Sequence, residues 1–248
     1  MQTDFGVDNL SVATMRGVAM IVDPELRVFD ATHAINQFDV LAASDALIYT
    51  IPFWPESTVF VSVVDPGVGT ARKSCVAKLS NGSYIVTPDN GTLTYVKERI
   101  GIAAVREIDE SVNRLKGSDK ANSFHGRDVF AYTAARLASG IINFEGVGPE
   151  YPVNEIVTFE TTHGTVAPGR AEGEIAGCTK HFGGAGTNID VDEFEKTGIV
   201  YGDMTHVTIV KNGETLFDRD VLYHKSFGFV PEGEPILYNG STTPTIAL

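Results

Sequence analysis

The sequence predicts an α/β N-terminal domain with a mostly parallel or mixed sheet, followed by a small β-barrel-like C-terminal domain. Two observations support this fold class. Early in the chain, unbroken apolar runs alternate with segments of helical period, and after Gly140 the composition shifts to short strands and Gly-rich turns. Strands that are apolar throughout are typical of a sheet covered by helices on both faces. We therefore place the α/β domain at residues 1–150 and the β-rich domain at residues 165–248.

Three apolar runs of the first domain are interpreted as strands because each stops at a turn that contains proline. They are residues 17–22, 58–64 and 83–87. Two helices are predicted to cover the sheet, at residues 40–49 and 128–138. The second helix has apolar residues at helical spacing, and Gly140 is suited to end it.

The second domain follows a linker at residues 146–169, which is rich in Gly, Pro and Thr and has no helical period. Short strands are predicted at residues 207–210 and 214–217. Asn212-Gly213 lies between them, and this dipeptide is a strong signal for a tight β-hairpin turn. A further strand is predicted at residues 235–238.

Composition and charge exclude several classes of protein. Of 248 residues, 43% are hydrophobic and 21% are charged, which is typical of a globular protein rather than a disordered one. No apolar run approaches the roughly 20 residues of a membrane span, and no charged-then-apolar leader is visible, so we expect a cytoplasmic protein without a membrane partner. The net charge of -13, without a run of Lys and Arg, argues against a nucleic-acid partner.

The two cysteines, Cys75 and Cys178, cannot form a disulfide framework. Cys178 lies three residues before His181, a spacing that two ligands of a metal site could have. Because no second pair is nearby, an ordinary loop is the favoured interpretation. The sequence predicts no metal site.

Polar clusters recur where apolar strands stop, and in open α/β sheets ligands bind at the carboxyl ends of strands. Four clusters are seen: residues 3–6 (TDFG), 65–70 (DPGVGT), 88–91 (PDNG) and 123–128 (SFHGRD). Gly67-Val68-Gly69 lacks the remaining residues of a dinucleotide or phosphate loop. Asp65, Arg72 and His125 remain as candidates for acid–base or water-orienting roles. Taken alone, Asp65 and Arg72 are more typical of a salt bridge, and residues 88–91 of a turn.

Together these motifs resemble the S-adenosylmethionine hydroxide adenosyltransferases, which are relatives of the fluorinating and chlorinating enzymes. The resemblance extends over nearly the whole chain. Its motifs are TDFG, VVDPGVGT followed by Arg72, PDNG and SFHGRD, with further matches at residues 30–33 (DATH), Gly183, residues 187–189 (TNI) and Ala247. Because TDFG stands almost at the first residue, the strand before it is expected to be short.

The resemblance implies a small-molecule nucleoside substrate, no metal or bound cofactor, and a homotrimer with active sites between neighbouring subunits. It assigns Asp65, Arg72 and His125 to the positioning of a water molecule, and Asp4 to the ribose hydroxyls. The other substrate-binding candidates are Asn9, Ser11, Phe38, Phe124, Phe182, Asn188, Asn239 and Ala247. The halide-using relatives lack this acid and imidazole, so the resemblance favours hydrolysis of S-adenosylmethionine to adenosine and methionine.

Four positions depart from the family pattern, mostly where the amino-acid end of the substrate would bind. The family usually has acids at the positions of Asn9 and Thr179, Asn at that of Gly184, and Asn-Ser where this chain has Asn239-Gly240-Ser241. These changes predict weak affinity for S-adenosylmethionine. They leave two alternatives open: a hydrolase of a different 5′-substituted adenosine, and an adenosine-binding protein without catalytic activity.

Overall fold

The computed structural model describes residues 1–179 and 182–248 and divides the chain into two compact units, Met1–Phe159 and Glu160–Leu248. The interpretation of Cys178 as part of an ordinary loop is wrong, because Cys178 lies in the strand Ile175–Thr179 and pairs with Ala185. His181 lies outside the described residues.

The N-terminal unit is built on a six-stranded mixed sheet, which confirms the predicted fold class of this part of the chain. Its strands are β1 Gln2–Thr3, β2 Val59–Val63, β3 Ser74–Leu79, β4 Tyr84–Pro88, β5 Ile102–Glu107 and β6 Glu150–Tyr151. Their order is β1-β2-β4-β3-β5-β6. The β1–β2 and β2–β4 pairs are parallel, and the remaining pairs are antiparallel.

Helices cover both faces of this sheet. They are α1 Leu10–Val22, α2 Val40–Thr50, α3 Thr94–Arg99 and α4 Tyr132–Ala138, with a π-helical segment, Gly126–Ala131, leading into α4. Strand β3 reflects the two-sided burial, because Cys75 and Ala77 belong to the core cluster that contains Leu47 of α2, whereas Val76 belongs to the cluster that contains Met15 of α1. Alternate residues of a strand point to opposite faces, so β3 contributes to two cores.

Most of the predicted elements of this unit are confirmed, and one is wrong. The run at residues 17–22 is the last part of helix α1, not a strand. A short apolar run cannot distinguish a buried strand from a buried helix by period alone. The helix begins further back, where the Asn9 side chain caps its first turn. The strands predicted at residues 58–64 and 83–87 and both predicted helices are present.

The C-terminal unit is β-rich, as predicted. Its elements are β7 Thr165–Ala167, β8 Arg170–Glu172, β9 Ile175–Thr179, β10 Gly184–Asp190, α5 Val191–Glu195, β11 Met204–Lys211, β12 Glu214–Tyr223, β13 Ile236–Asn239 and β14 Thr245–Ala247. Six strands form a curled half-barrel sheet in the order β11-β12-β13-β14-β10-β9. The β11–β12 hairpin turns at Asn212 and Gly213, whose φ angles of 53° and 79° are those of a tight hairpin turn.

Candidate active site

The two parallel strands at one edge of the N-terminal sheet bring two acids to the same end. Thr3 of β1 pairs with Val63 of β2, so Asp4 and Asp65 both follow the carboxyl ends of neighbouring strands. A cavity of about 250 Å³ opens there. It is lined by Asp4, Phe5, Asn9, Gln37, Phe38, Val63, Asp65, Val68, Ser123, Phe124, His125 and Gly126.

Asp65 and Arg72 form a buried, two-pronged ion pair. Arg72 donates from Nε to Asp65 Oδ1 at 3.0 Å and from Nη2 to Oδ2 at 2.5 Å. Its Nη1 donates to Ser74 Oγ at 2.7 Å, which orients the guanidinium from the first residue of β3. Burial raises the pKa of Asp65, and the Arg72 cation opposes that shift. The pair therefore holds the carboxylate in one orientation at the cavity wall.

His125 extends this pair into a set of three. Its Nδ1 lies 3.3 Å from Arg72 Nη2. Because a guanidinium N–H only donates, this contact favours the tautomer whose proton is on Nε2. Nε2 is buried without a hydrogen-bond partner among the described residues, on a side chain that lines the cavity. Burial lowers the pKa of His125, so the ring is neutral near pH 7 and can contact a bound molecule.

The segment at residues 88–91 does not line the cavity, but it contacts the backbone next to Asp65. Asn90 donates from Nδ2 to the carbonyl of Val64 at 2.9 Å, directly before Asp65. Asp89 accepts hydrogen bonds from the Tyr151 hydroxyl and from the backbone N–H of Val157, both at 2.9 Å. Asn90 thus holds the backbone between the end of β2 and Asp65.

Gly69 allows the loop after β2 to pack against the segment that carries His125. It has a φ of 76°, and a Cβ atom added there would lie 2.8 Å from the carbonyl oxygen of Asn122. Only glycine fits both the backbone conformation and this approach. The contact connects the Asp65 loop to the residues that lead into Ser123, Phe124 and His125.

Asp4 is held by its own set of contacts. Its Oδ2 accepts the backbone N–H of Phe38 at 2.9 Å, and Phe38 adopts a φ of 64°. One residue earlier, the Thr3 hydroxyl lies 2.8 Å from His33 Nδ1 and accepts the N–H of Phe5 at 3.2 Å. Burial lowers the pKa of His33 to about 4 and outweighs the carboxylate of Asp30, whose Oδ1 lies 3.1 Å from Nε2, so this ring is neutral at pH 7.

The role of His33 and Thr3 was missed by sequence reasoning. The DATH motif matches the family pattern, but nothing in its sequence indicates a contact between His33 and Thr3, which lie 30 residues apart. Only the three-dimensional structure shows that the buried His33 contacts Thr3, in the strand directly before Asp4.

Asn9 and Ser11, two other predicted substrate residues, lie at the start of α1. Asn9 Oδ1 accepts the backbone N–H of Ser11 at 2.9 Å and so caps the helix. Asn9 lines the cavity, and Ser11 does not. The remaining predicted residues of this unit, Phe38 and Phe124, both line the cavity.

Four predicted substrate residues belong to the C-terminal unit. Phe182 is 80% exposed. Asn188 accepts the backbone N–H of Glu174 and donates to the carbonyl of Thr162. Asn239 accepts a hydrogen bond from Tyr223 and donates one to Tyr201. Ala247 is buried in β14. Both amide side chains are thus oriented by neighbours within their own unit.

No group of three or more His, Cys, Asp and Glu residues among the described residues is arranged to hold a metal ion. None of their helices is both long and apolar enough to cross a membrane.

Fold and site together define a class: an α/β enzyme with a buried acid–guanidinium–imidazole set at the end of a mixed sheet. The chain belongs to the SAM hydroxide adenosyltransferase family, because residues 1–148 match the model of that family's N-terminal domain. The resemblance inferred from the motifs is thereby confirmed.

Individual relatives agree with this assignment. An (R)-S-adenosyl-L-methionine hydrolase of Thermus thermophilus is 36% identical over 247 residues, which cover 96% of this chain and 86% of the relative. A Methanocaldococcus jannaschii protein of the same name is 35% identical over 197 residues, covering 78% and 67%. The crystal structure of an uncharacterized conserved protein from Thermotoga maritima matches with a TM-score of 0.90 at 33% identity, covering 99% of this chain and 89% of that one.

Proposed function

We propose that this protein hydrolyses S-adenosyl-L-methionine to adenosine and L-methionine, by in-line attack of water on the 5′ carbon. The observation that carries the proposal is the contact of Arg72 with both Asp65 and His125, which line a cavity together with Asp4. Two relatives that are 35% and 36% identical are named (R)-S-adenosyl-L-methionine hydrolase.

The chemistry suits these residues. A sulfonium leaves as a neutral thioether, so the leaving group needs no general acid. Water is the weak reactant, because it must be aligned with the 5′ carbon, separated from competing solvent and relieved of a proton. A site for this reaction therefore needs polar groups directed at the water more than groups directed at sulfur.

The side chains divide this work as follows. Asp4 holds the ribose hydroxyls, and its orientation is set by Phe38 and the β1 contacts. Arg72 keeps Asp65 ionised and stabilises hydroxide character in the attacking water. Asp65 and His125 hold the water by hydrogen bonds, and one of them accepts its proton.

The names of the relatives specify one configuration at sulfur. They are hydrolases of the (R) epimer of S-adenosyl-L-methionine. We include that preference in the proposal. Attack at the 5′ carbon does not involve the sulfur configuration directly, so a preference for one epimer would come from how the methionine part is bound.

A different 5′-substituted adenosine is the second candidate, and Asn9 is the observation that favours it. Asn9 lines the cavity as a neutral amide, and a buried ammonium needs anionic partners. Binding calorimetry should give weaker affinity for S-adenosylmethionine than for adenosine, and Asn9→Asp with Thr179→Asp should improve it. Low-micromolar binding of S-adenosylmethionine, tighter than that of adenosine, would refute this candidate.

The proposal also includes three expectations from the resemblance and composition. These are a homotrimer with active sites between neighbouring subunits, activity without a bound cofactor, and a cytoplasmic location.

The direct test is incubation of the protein with each sulfonium epimer in ¹⁸O-labelled water. We expect adenosine with the label in its 5′ hydroxyl, formed faster from the (R) epimer. Asp65→Asn is the control, and it should release little adenosine. A protein that releases none from either epimer, or releases unlabelled adenosine, is not the proposed hydrolase.

A further inference from the structure

Glu110 lies between Arg114 and His125 beside the site, and the proposed mechanism does not use it. Its Oε2 accepts a hydrogen bond from Arg114 Nη1 at 2.7 Å. Its other oxygen, Oε1, lies 3.9 Å from Nδ1 of His125. One carboxylate thus contacts an arginine with one oxygen and faces the imidazole of His125 with the other.

Glu110 and Arg72 approach the same nitrogen of His125 with opposite charges. Arg72 Nη2 lies 3.3 Å from Nδ1 and can only donate, whereas Glu110 Oε1 can only accept. Arg114 and Asp65 are the other charged groups that act on this ring. Phe130 packs edge-on against it, with ring centroids 6.5 Å apart.

These two neighbours favour different tautomers. When Arg72 donates to Nδ1, Nε2 carries the proton and can only donate a hydrogen bond. When Nδ1 carries the proton and faces Glu110, Nε2 has a free lone pair and can accept a proton. The balance between Arg72 and Glu110 therefore decides whether His125 is able to act as a base.

We propose that Glu110 is a positioning residue that makes His125 the group which accepts the proton of the attacking water. This inference rests on the proposed hydrolysis. As the bond from water oxygen to the 5′ carbon forms, the bond from that carbon to sulfur breaks and leaves its electron pair on sulfur. The water proton goes to Nε2, and the resulting imidazolium has its Nδ1–H directed to Glu110.

Asp65 is less suited to accept this proton. Both of its carboxylate oxygens already accept N–H groups of Arg72, which oppose the rise in the pKa of Asp65 that burial causes. His125 Nε2 has no such partner among the residues that the structure describes. In the tautomer that Glu110 favours, with the proton on Nδ1, His125 Nε2 has a free lone pair. The imidazole can therefore accept the water proton more readily than Asp65 can.

The inference is tested first by the pH dependence of kcat in Glu110→Gln. An opposite charge within about 4–6 Å shifts a pKa by about 1–3 units, and partial exposure of Glu110 reduces this. We expect the acidic limb of the profile to move about half a unit or more to lower pH. The plateau of kcat should fall roughly tenfold, which is less than the full rate enhancement that a positioned general base provides. KM should change little.

Glu150→Gln is the matched control. Its Oε2 accepts a hydrogen bond from Arg106 Nη2 at 2.8 Å, so it resembles the Glu110–Arg114 pair but faces no imidazole in the described ion pairs. This variant should leave the profile unchanged. Arg114→Gln removes a cation that lowers the pKa of His125, so its acidic limb should move to higher pH.

A second readout does not depend on activity. Titration of histidine-labelled protein by NMR, with His125 assigned by comparison with His125→Asn, measures the pKa of this ring directly. That pKa should fall in Glu110→Gln and stay constant in Glu150→Gln. A pKa that does not move would overturn the inference whatever the activity, whereas a wild-type protein that titrates as expected but releases no adenosine would overturn the proposed function instead.

Discussion

His33 and His125 show how burial sets the protonation of single side chains. Both rings are buried, and burial lowers the pKa of each. His125 faces the cavity, where a neutral imidazole can contact a bound molecule. His33 faces the backbone before Asp4, where a neutral imidazole can contact the Thr3 hydroxyl. The same residue type is therefore placed beside a cavity in one case and within contacts of the fold itself in the other.

Asp65, Arg72 and His125 should each be essential for turnover. Asp65→Asn, Arg72→Ala and His125→Ala are each expected to lower kcat by at least about a hundredfold, the scale of positioned acid–base groups. Substrate affinity should change less, because these groups act on the water. Steady-state kinetics of adenosine release measure both quantities. Arg106→Ala, which removes another arginine paired with a carboxylate, serves as the control; near-normal rates in all three variants would exclude the mechanism.

Protonation of His33 should make stability depend on pH. Its pKa is about 4 in the folded protein, below the ordinary 6.5, so the unfolded chain binds more protons between these values. Its contribution is therefore complete above pH 6.5 and is lost as the pH falls toward 4. Urea midpoints at pH 7 and pH 5 should differ less in His33→Asn than in the wild type.

His206 provides a contrast of opposite sign. It lies between Asp218 and Asp220, and its hydrogen bonds to them raise its pKa. Its contribution to stability is present below pH 6.5 and is lost as the pH rises through the raised pKa. His206→Asn should therefore lose more stability at pH 5 than at pH 7. Equal pH dependence in both variants and the wild type would contradict these assignments.

At the scale of elements, the loop after β2 and the segment before the π-helical turn act as one support for the site. Gly69 contacts Asn122 closely, and Asn90 holds the carbonyl before Asp65. Strand ends alone would bring the acids to one edge, but these loop contacts set their final positions.

Gly69→Ala should disturb this support. A left-handed backbone costs an alanine about 1–2 kcal/mol, and the added Cβ would also press on the carbonyl of Asn122 at 2.8 Å. We expect turnover to fall at least about tenfold as His125 is displaced. Gly82→Ala has a similar φ of 85° but meets nothing within 4 Å. It should lose comparable stability and keep its activity; equal activity losses would show that strain alone is responsible.

At the scale of the whole molecule, we predict a homotrimer whose active sites lie between neighbouring subunits. Sedimentation velocity at micromolar concentration should give the mass of three chains of 26.7 kDa. A monomer that is fully active would contradict the prediction of active sites between subunits. A trimer that loses activity when diluted to monomers would support it.

The sequence by itself determined the fold class, predicted polar clusters at the carboxyl ends of strands, and identified Asp65, Arg72 and His125 as candidate site residues. Strand period, turn residues and the position of polar groups after strands are local properties, and they can be read from neighbouring residues. The same local information failed at residues 17–22, because six apolar residues fit a buried helix as well as a strand.

Only the tertiary structure decided which partners meet. The contact of Arg72 with His125 spans 53 residues, and that of Thr3 with His33 spans 30. Glu110 has no motif around it, yet it faces the imidazole of His125. Contacts of this kind depend on how the chain returns to the same point in space, and the burial that shifts a pKa is produced only when those segments pack together.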